Sequence, residues 1–307
     1  MARKLIIAGA QTGGIDRATP RSRVVERLLA LMRTAKSRGA DLVVFPELAL
    51  TTFFPRWWME DQAEIDSYFE TEMPGPVTQP LFDTARELGI GFYIGYGELT
   101  QENGVMKHYN SCILIDEAGA IVGRYRKVHL PGHAEHRPEA PFQHLEKRYF
   151  DEPAEGFGVW NYAGRPLGMA ICNDRRWPET YRVMALKGAE LVLIGYNTPA
   201  HIPWAPVYDH LGPFHNHLVM QAGAYQNAMY VVGVAKAGME DGFELLAGSC
   251  IVAPSGEVIA MAQTNEDEVF TAACDLDQCR HNRMTTFNFA RNRQVRHYGE
   301  LTKPSEP

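Results

Sequence analysis

The stretch PLGMAICNDRRWPE at residues 166–179 decides how the fold is interpreted. Its first seven residues are mostly apolar and have the length of a buried strand, while the polar residues after them predict a turn. Pro178 is typical of the first turn of a helix. The stretch therefore predicts a strand, a turn and a helix in succession, with Cys172 at the end of the strand and Arg175 and Arg176 in the turn.

The same alternation of strand-like and helical segments continues along the chain. Short runs rich in Ile, Val and Leu predict nine buried strands: residues 4–10, 41–46, 90–98, 111–116, 166–172, 190–195, 229–235, 249–253 and 269–275. Helical spacing of apolar residues and proline starts predict four helices: residues 20–38, 76–88, 178–187 and 206–227. The alternation predicts an α/β sandwich with mixed sheets.

Length and composition fit one globular domain. The chain has 307 residues, of which 45% are hydrophobic, and this is ample for a substantial core. Because no Ser/Gly linker or low-complexity tract interrupts the sequence, residues 1–307 are predicted to form a single domain. From about residue 299 the chain is polar, and we expect this tail to be a loose arm or a partner contact.

Charge and hydropathy argue against several classes of partner. The formal net charge is −7 and no long run of Lys or Arg could follow a phosphate backbone, so we expect no nucleic-acid partner. No segment approaches the roughly 18 consecutive apolar residues of a membrane span, and the N-terminus lacks the pattern of a signal peptide. The five cysteines show no Cys-x-x-Cys spacing. These features predict a cytoplasmic protein with no membrane association.

Three reactive side chains stand at or near the ends of strand-like runs. Glu47 follows a strand and a proline, where open α/β folds build their sites, although a glutamate interacting with a helix dipole would also fit. Lys127 lies in an alternating segment, for which a solvated basic strand is the alternative. Cys172 could be a buried filler like Cys112 and Cys250. At a strand-to-helix turn, however, adjacent cations and helix N–H groups can lower the pKa of a thiol.

Three motifs around these residues carry a family resemblance. FPE at 45–47, YRKVHLP at 125–131 and CNDRRWPE at 172–179 resemble the signatures of the nitrilase, or carbon–nitrogen hydrolase, superfamily, in its order Glu, Lys, Cys. Longer stretches at 45–57, 130–150, 195–199, 220–227 and 249–257 are similar to the N-carbamoyl-D-amino acid amidohydrolases, or D-carbamoylases. Departures from that pattern lie in the loop 135–140 and in the C-terminal tail.

The resemblance implies a fold and an activity. It implies a four-layer αββα sandwich, association into a homodimer or homotetramer, and hydrolysis of small-molecule N-carbamoyl-D-amino acids to D-amino acid, CO2 and ammonia. It implies no metal and no organic cofactor. A β-ureidopropionase, an aliphatic amidase and a nitrilase are alternatives within the superfamily. A catalytically silent scaffold is the alternative from another class, and the joint presence of Glu47, Lys127 and Cys172 argues against it.

The implied mechanism assigns a role to each reactive residue. A ureido carbonyl is a poor electrophile, so its hydrolysis needs a strong nucleophile, a proton shuttle and a stabilised oxyanion. The resemblance implies that Cys172 is the nucleophile and Glu47 the proton shuttle. Lys127, kept protonated beside Glu47, would stabilise the oxyanion. Glu146 matches a second carboxylate that positions Lys127 or the substrate in related enzymes.

The substrate's carboxylate requires a partner as well. A guanidinium can bind it through two parallel hydrogen bonds, so we expect one of Arg175 and Arg176 to bind substrate and the other to hold the loop. The alternative for either arginine is an ion pair with Asp174 or Glu179. Neutral hydrogen bonds around the carboxylate and ureido groups are expected, from the family pattern, of Asn173, Asn197 and Thr198.

Histidines near the motifs allow two interpretations. His129, His133 and His136 could pass for a metal cluster, but the intervening Pro-Gly argues against a helical ligand pair and we expect no metal. His129, His144 and His215 match histidines that surround the site in D-carbamoylases. We expect them to hydrogen-bond to and orient the catalytic groups, with ordinary packing histidines as the alternative.

Overall fold

The computed structural model describes residues 3–202 and 205–304. Within these residues the strands are β1 Lys4–Gly13, β2 Leu42–Val44, β3 Phe69–Glu70, β4 Gly91–Glu102, β5 Val105–Ile115, β6 Ile121–Arg126, β7 Val159–Tyr162, β8 Arg165–Ile171, β9 Leu191–Tyr196, β10 Tyr230–Glu240, β11 Phe243–Leu246, β12 Cys250–Val252, β13 Val258–Met261 and β14 Glu268–Asp275. The α-helices are α1 Arg21–Ser37, α2 Gln62–Asp66, α3 Gln79–Leu88, α4 Glu146–Tyr149, α5 Pro178–Leu186, α6 Gly212–Asn227, α7 Asp277–Met284 and α8 Phe289–Asn292.

Two mixed sheets form the centre of the molecule. One runs in the order β14-β1-β2-β4-β5-β6, with β3 beside the far end of β4. The other runs β7-β8-β9-β10-β12-β13, and β11 extends β10 as a hairpin. The end of β1 pairs in parallel with β10, Thr12 opposite Lys236, so the two sheets are joined there.

The sheets pack face to face, and helices cover both outer faces. Along β1, Leu5 and Ile7 belong to the core between the sheets, whereas Ala8 and Ala10 belong to the core beneath α1 and α3, as the two-residue period of a strand requires. On the other side α5 and α6 pack on the second sheet through residues such as Met220. The layer order helix, sheet, sheet, helix confirms the predicted αββα sandwich.

All nine predicted strands are present, with shifts at their ends of up to six residues. The strand predicted at 111–116 begins at Val105 instead, because its first half is partly exposed and lacks a continuous apolar run. Among the described residues, the structure also contains five strands that are not among the nine predicted ones, namely β3, β6, β7, β11 and β13. They are short strands with partly exposed side chains, which give no apolar run for a sequence pattern to detect.

The prediction of one helix over residues 206–227 is wrong in its first third. A 3-10 turn covers Pro206–Leu211, and α6 begins only at Gly212. Pro213 in the first turn of α6 has no backbone N–H, so it cannot donate the hydrogen bond that would continue an α-helix from Pro206–Leu211.

The polar tail contains a short 3-10 turn, Gly299–Thr302, whose residues are exposed. Residues 305–307 of the tail lie outside the described residues. No helix in residues 3–202 and 205–304 is long and apolar enough to cross a membrane.

Candidate active site

Glu47 lies between the two sheets, three residues after the end of β2. A Cβ atom on Gly95 of β4 would lie 2.8 Å from the Cα of Glu47, and one on Gly195 of β9 would lie 2.6 Å from its N atom. Glycine at both positions therefore lets the segment pass between the sheets. Oε1 of the buried carboxylate accepts hydrogen bonds from Asn110 Nδ2 and Lys127 Nζ, both at 2.8 Å. Its Oε2 atom is buried and has no hydrogen-bond partner among the described residues.

Lys127 follows β6 directly and contacts two carboxylates. Its Nζ donates to Glu47 Oε1 at 2.8 Å and to Glu146 Oε2 at 2.6 Å, with all three side chains buried. Burial alone would lower the pKa of Lys127, but the charges of Glu146 and Glu47 outweigh it and raise this pKa. The ammonium therefore stays protonated, as expected from the sequence.

The two carboxylates have pKa values that move in opposite directions. Burial raises the pKa of Glu47, and repulsion from Glu146 adds to this against the opposing effect of Lys127. Burial also tends to raise the pKa of Glu146, but Lys127 and the adjacent His144 ring outweigh this effect and lower the pKa. Glu146 is thus the more acidic of the pair, and Glu47 is the better proton acceptor.

Cys172 directly follows β8 and is the first residue of the 3-10 turn Cys172–Arg176. Its φ of 45° lies in the left-handed region, which is uncommon for a residue other than glycine and recurs at functional sites. The Sγ atom lies 3.7 Å from the carbonyl O of Asn197 and 3.8 Å from Thr198 Oγ1. The turn therefore places the thiol at the C-terminal end of β9, beside the two residues that follow this strand.

The thiol of Cys172 is not a preformed thiolate. Burial raises its pKa and the charge of Glu47 raises it further, whereas Lys127 and Arg175 lower it. The expectation that nearby cations would leave the pKa lowered is therefore wrong, because burial and the carboxylate outweigh them. A protonated thiol needs a base, and Glu47 is the carboxylate whose charge acts most strongly on it.

Asp174 is the residue that fixes the turn. The buried carboxylate accepts hydrogen bonds at Oδ2 from the Ile171 N–H at 3.0 Å and the Tyr125 hydroxyl at 2.7 Å. At Oδ1 it accepts from the N–H of His129 at 3.0 Å, and the Nδ1 of the same histidine lies 2.8 Å away. It therefore ties the end of β8 to β6 and to the segment after Lys127.

Arg175 is buried and holds the loop. Its Nη1 donates to the carbonyl O of Cys172 at 2.7 Å and its Nη2 to Thr198 Oγ1 at 3.1 Å. Its Nε donates to Asn216 Oδ1 at 3.0 Å, and its guanidinium lies 4.2 Å from the centroid of the Tyr196 ring. All its donor groups are directed to the protein rather than to a ligand.

Arg176 is exposed and has no hydrogen bond or ion pair among the described residues. The alternative that either arginine pairs with Asp174 or Glu179 is wrong, because neither carboxylate forms an ion pair with Arg175 or Arg176 in the part of the chain that the structure describes. Arg176 instead lines the cavity over Cys172.

A cavity of about 340 Å³ opens over the thiol. The predicted Asn173, Asn197 and Thr198 all line it together with Cys172. Both side-chain polar atoms of Asn197 are buried without a hydrogen-bond partner among the described residues. A buried amide in this state is available to a bound ligand, since leaving such groups unpaired costs free energy.

The three histidines of the sequence analysis lie in different places. His144 Nε2 lies 3.3 Å from Glu146 Oε1, and His129 holds Asp174. His215 lines a second cavity of about 260 Å³, and it makes no hydrogen bond to a catalytic group among the described residues. The neighbouring residue Asn216, and not His215, hydrogen-bonds to a residue of the site, since it accepts from Arg175 Nε.

The histidines of the possible metal cluster do not converge. The Nδ1 atom of His133 lies 2.8 Å from the carbonyl O of Glu135, and the ring of His136 stacks on Trp58 at a centroid distance of 4.5 Å. Within residues 3–202 and 205–304 no group of three or more His, Cys, Asp or Glu side chains could hold a metal ion.

Comparison with known proteins identifies the family. The family model described as "Carbon-nitrogen hydrolase" matches residues 6–284. The chain belongs to the carbon–nitrogen hydrolase family. A nitrilase of Pyrococcus abyssi is 31% identical over 84% of this chain and 86% of its own length. An N-carbamoylputrescine amidase of Solanum lycopersicum is 30% identical over 92% of this chain and 89% of its own length.

A solved structure agrees on the fold. The crystal structure of a carbon–nitrogen hydrolase from Helicobacter pylori G27 superimposes with a TM-score of 0.84, at 21% sequence identity, over 99% of this chain and 100% of that chain. At this level of identity the similarity supports the fold alone.

Asn110, Asp174 and Asn216 belong to this carbon–nitrogen hydrolase site although no functional role is predicted for them from the sequence. Each is buried and hydrogen-bonds to a residue for which a role is predicted, namely Glu47, His129 and Arg175 respectively. A polar residue within two positions of an apolar run is the signal that could have pointed to Asn110 and Asp174. For Asn216, on a helix with an ordinary polar pattern, the sequence holds no such signal.

Proposed function

We propose that the protein hydrolyses N-carbamoyl-D-amino acids to D-amino acid, CO2 and ammonia through a thioester-type intermediate on Cys172. Membership in the carbon–nitrogen hydrolase family supports the reaction class. Buried Glu47, Lys127 and Cys172 meet the need of a ureido carbonyl for a base, an oxyanion partner and a nucleophile. A related protein named for hydrolysis of a carbamoyl compound, the amidase of Solanum lycopersicum, also supports this substrate chemistry.

The reaction begins with proton transfer from the thiol to Glu47. The unpaired Oε2 atom takes the proton while Sγ attacks the ureido carbon. The ammonium of Lys127 stabilises the oxyanion that forms, and Glu146 keeps this ammonium in place. Glu47 then returns the proton to the nitrogen that departs as its bond to the ureido carbon breaks. Glu47 next activates a water that hydrolyses the thioester, which regenerates the thiol and releases a carbamic acid. The carbamic acid decomposes to CO2 and the remaining amine.

The observation that carries the proposal is the unpaired guanidinium of Arg176 in the cavity above Cys172. A carbamoyl amino acid differs from a simple amide or nitrile in its α-carboxylate, and a guanidinium binds a carboxylate through two charge-assisted hydrogen bonds. N-Carbamoylputrescine carries an ammonium instead, which the same guanidinium would repel. Since Arg175 is saturated by protein groups, we assign the substrate carboxylate to Arg176.

The preference for the D configuration rests on the resemblance of the long sequence stretches. Ammonia release from N-carbamoyl-D-phenylalanine, its L enantiomer, N-carbamoyl-β-alanine, N-carbamoylputrescine and a simple nitrile tests it. We expect the D compound to have the highest kcat/KM. Equal or faster turnover of the L compound would refute the stereochemistry, and faster turnover of N-carbamoyl-β-alanine, the amine or the nitrile would refute the substrate class.

A Cys172→Ala variant separates the enzyme from a silent scaffold. We expect it to fold and to release no ammonia from any of these substrates. A variant that retained activity would contradict the assignment of the nucleophile.

We further propose that the protein associates into a homodimer or homotetramer. Phe214, Leu218 and Tyr225 share the outer face of α6 and are exposed, which is an unusual concentration of apolar surface for a solvent-facing helix. Light scattering on the purified protein tests this. We expect Leu218→Glu to lower the measured mass, whereas a monomeric wild type would contradict the proposal.

A further inference from the structure

A second free guanidinium lines the catalytic cavity. Arg137 lies in the loop between β6 and α4 and lines the same cavity as Arg176 and Cys172. Its side chain forms no hydrogen bond or ion pair among the described residues. The backbone of Arg137 is fixed, because its N–H donates to Gln143 Oε1 at 2.9 Å and its carbonyl O accepts from Gln143 Nε2.

The loop that carries Arg137 is anchored at both ends. The N–H of His133 donates to the carbonyl O of His144 at 2.9 Å, and the N–H of Gln143 donates to the carbonyl O of Arg56 at 2.9 Å. These bonds join the two branches of the loop and attach it to the segment that follows Glu47. The guanidinium therefore extends from a backbone that is held at the cavity.

The charges around the cavity are not balanced. Among the described residues that line it, Arg137 and Arg176 are cations and none is a carboxylate. Glu135 is on the same loop and interacts electrostatically with Arg137, but it is exposed, forms no ion pair with Arg137 and does not line the cavity. A substrate with a single α-carboxylate would neutralise one guanidinium and leave the other without a carboxylate partner inside the cavity.

We propose that Arg137 binds a second carboxylate, carried by the side chain of the substrate. The preferred substrates are then N-carbamoyl derivatives of D-amino acids with acidic side chains. This inference rests on the proposed function, in which Arg176 binds the α-carboxylate. The cavity volume is within the range of about 300–1,000 Å³ that is typical of small-molecule sites.

The experiment compares N-carbamoyl-D-glutamate with N-carbamoyl-D-glutamine, which have nearly the same shape and differ in charge. We expect kcat/KM of the wild type to favour the glutamate derivative by about tenfold, as a charge-assisted hydrogen bond allows. In Arg137→Gln this ratio should fall to near one, mainly through a higher KM for the glutamate derivative, because ground-state binding is lost. Arg137→Lys keeps the charge without the planar fork and should retain part of the ratio.

Arg33→Gln is the matched control. Arg33 is an exposed arginine of α1 that does not line the cavity, so its replacement should leave the ratio unchanged. A wild type that prefers the glutamine derivative, or an Arg137→Gln variant with the wild-type ratio, would overturn the inference. Failure of the proposed function would look different, since N-carbamoyl-D-alanine, assayed in parallel, would then release no ammonia either.

Discussion

The ammonium of Lys127 donates a hydrogen bond of 2.8 Å to only one oxygen of Glu47, Oε1. The other oxygen, Oε2, is buried and has no partner in the described part of the structure. One oxygen is thus held by the cation and by Asn110, while the second can accept a proton. Because Glu146 provides Lys127 with a second carboxylate, the cation stays balanced when Glu47 becomes protonated.

Glu47→Gln should abolish proton transfer without disrupting the fold. The amide keeps the shape of the carboxylate, and its oxygen can still accept from Asn110 and Lys127. Loss of a general base costs about 10²- to 10⁴-fold in rate, so we expect kcat to fall within that range. Ammonia release and thermal unfolding measure the two effects, and a variant with more than a tenth of wild-type kcat would contradict the role of Glu47.

The thiol of this same variant should become more acidic. Burial and the charge of Glu47 both raise the pKa of Cys172, so removal of that charge should lower this pKa relative to the wild type, although burial still raises it. Alkylation of Cys172 by iodoacetamide as a function of pH reports this pKa. A variant that loses activity while its thiol becomes more reactive at neutral pH would distinguish loss of the base from general damage to the site.

The pH profile of the wild type follows from the two raised pKa values. Glu47 acts as a base only when ionised, so kcat/KM should fall as the pH falls through its pKa. Because burial raises this pKa, the acidic limb should lie above the value of about 4.3 of an ordinary glutamate. The pKa of Cys172 is raised as well, so alkylation should accelerate only above the usual value of about 8.5. An acidic limb at or below the ordinary value would contradict Glu47 as the base.

The sequence contains enough local information to predict the central strands and Glu47, Lys127 and Cys172. Each of these residues lies at or near the end of a strand, which local patterns can locate. Their roles are predicted from the resemblance of three motifs in order, because local patterns alone leave an ordinary structural alternative for each residue. The sequence cannot assign the roles of Arg175 and Arg176. These adjacent residues lie in the same 3-10 turn, but the side chain of Arg175 is buried and that of Arg176 is exposed. Their environments depend on distant groups such as α6, which no local pattern places beside the turn.

Replacing each arginine separately should give different defects. Arg175→Met removes the donors that satisfy Asn216, Thr198 and the carbonyl O of Cys172, and it leaves buried acceptors unpaired. We expect a loss of roughly 2–4 kcal/mol in the free energy of unfolding together with a lower kcat. Arg176→Gln should change the free energy of unfolding by no more than about 0.5 kcal/mol, because its side chain has no partner among the described residues.

Arg176→Gln should instead raise KM for carbamoyl amino acids about tenfold or more, because the carboxylate loses a charge-assisted partner. Denaturant titration and steady-state kinetics on both variants check these outcomes. The assignment would be reversed if Arg175→Met raised only KM and Arg176→Gln lowered stability.

Asp174→Asn should be the most damaging conservative change in the turn. The buried carboxylate accepts from the Ile171 N–H, the Tyr125 hydroxyl and the His129 N–H, while the His129 ring lies 2.8 Å away. An asparagine has one acceptor oxygen, and its NH₂ group would face donors. With two or more hydrogen bonds lost in a buried site, we expect the free energy of unfolding to fall by roughly 2–5 kcal/mol. The geometry of Cys172 should be lost with it, lowering kcat.

Tyr125→Phe is the matched control for Asp174→Asn. It removes one hydroxyl, which donates to Asp174 and accepts from the Val128 N–H at 3.2 Å, and it retains the aromatic ring. We expect a loss of roughly 1–2 kcal/mol, with most of kcat retained, because Asp174 keeps its bonds to Ile171 and His129. Denaturant unfolding ranks the two variants. If Asp174→Asn were no less stable than Tyr125→Phe, Asp174 would not be the group that fixes the turn, and the left-handed conformation of Cys172 would have to be held by Arg175 alone.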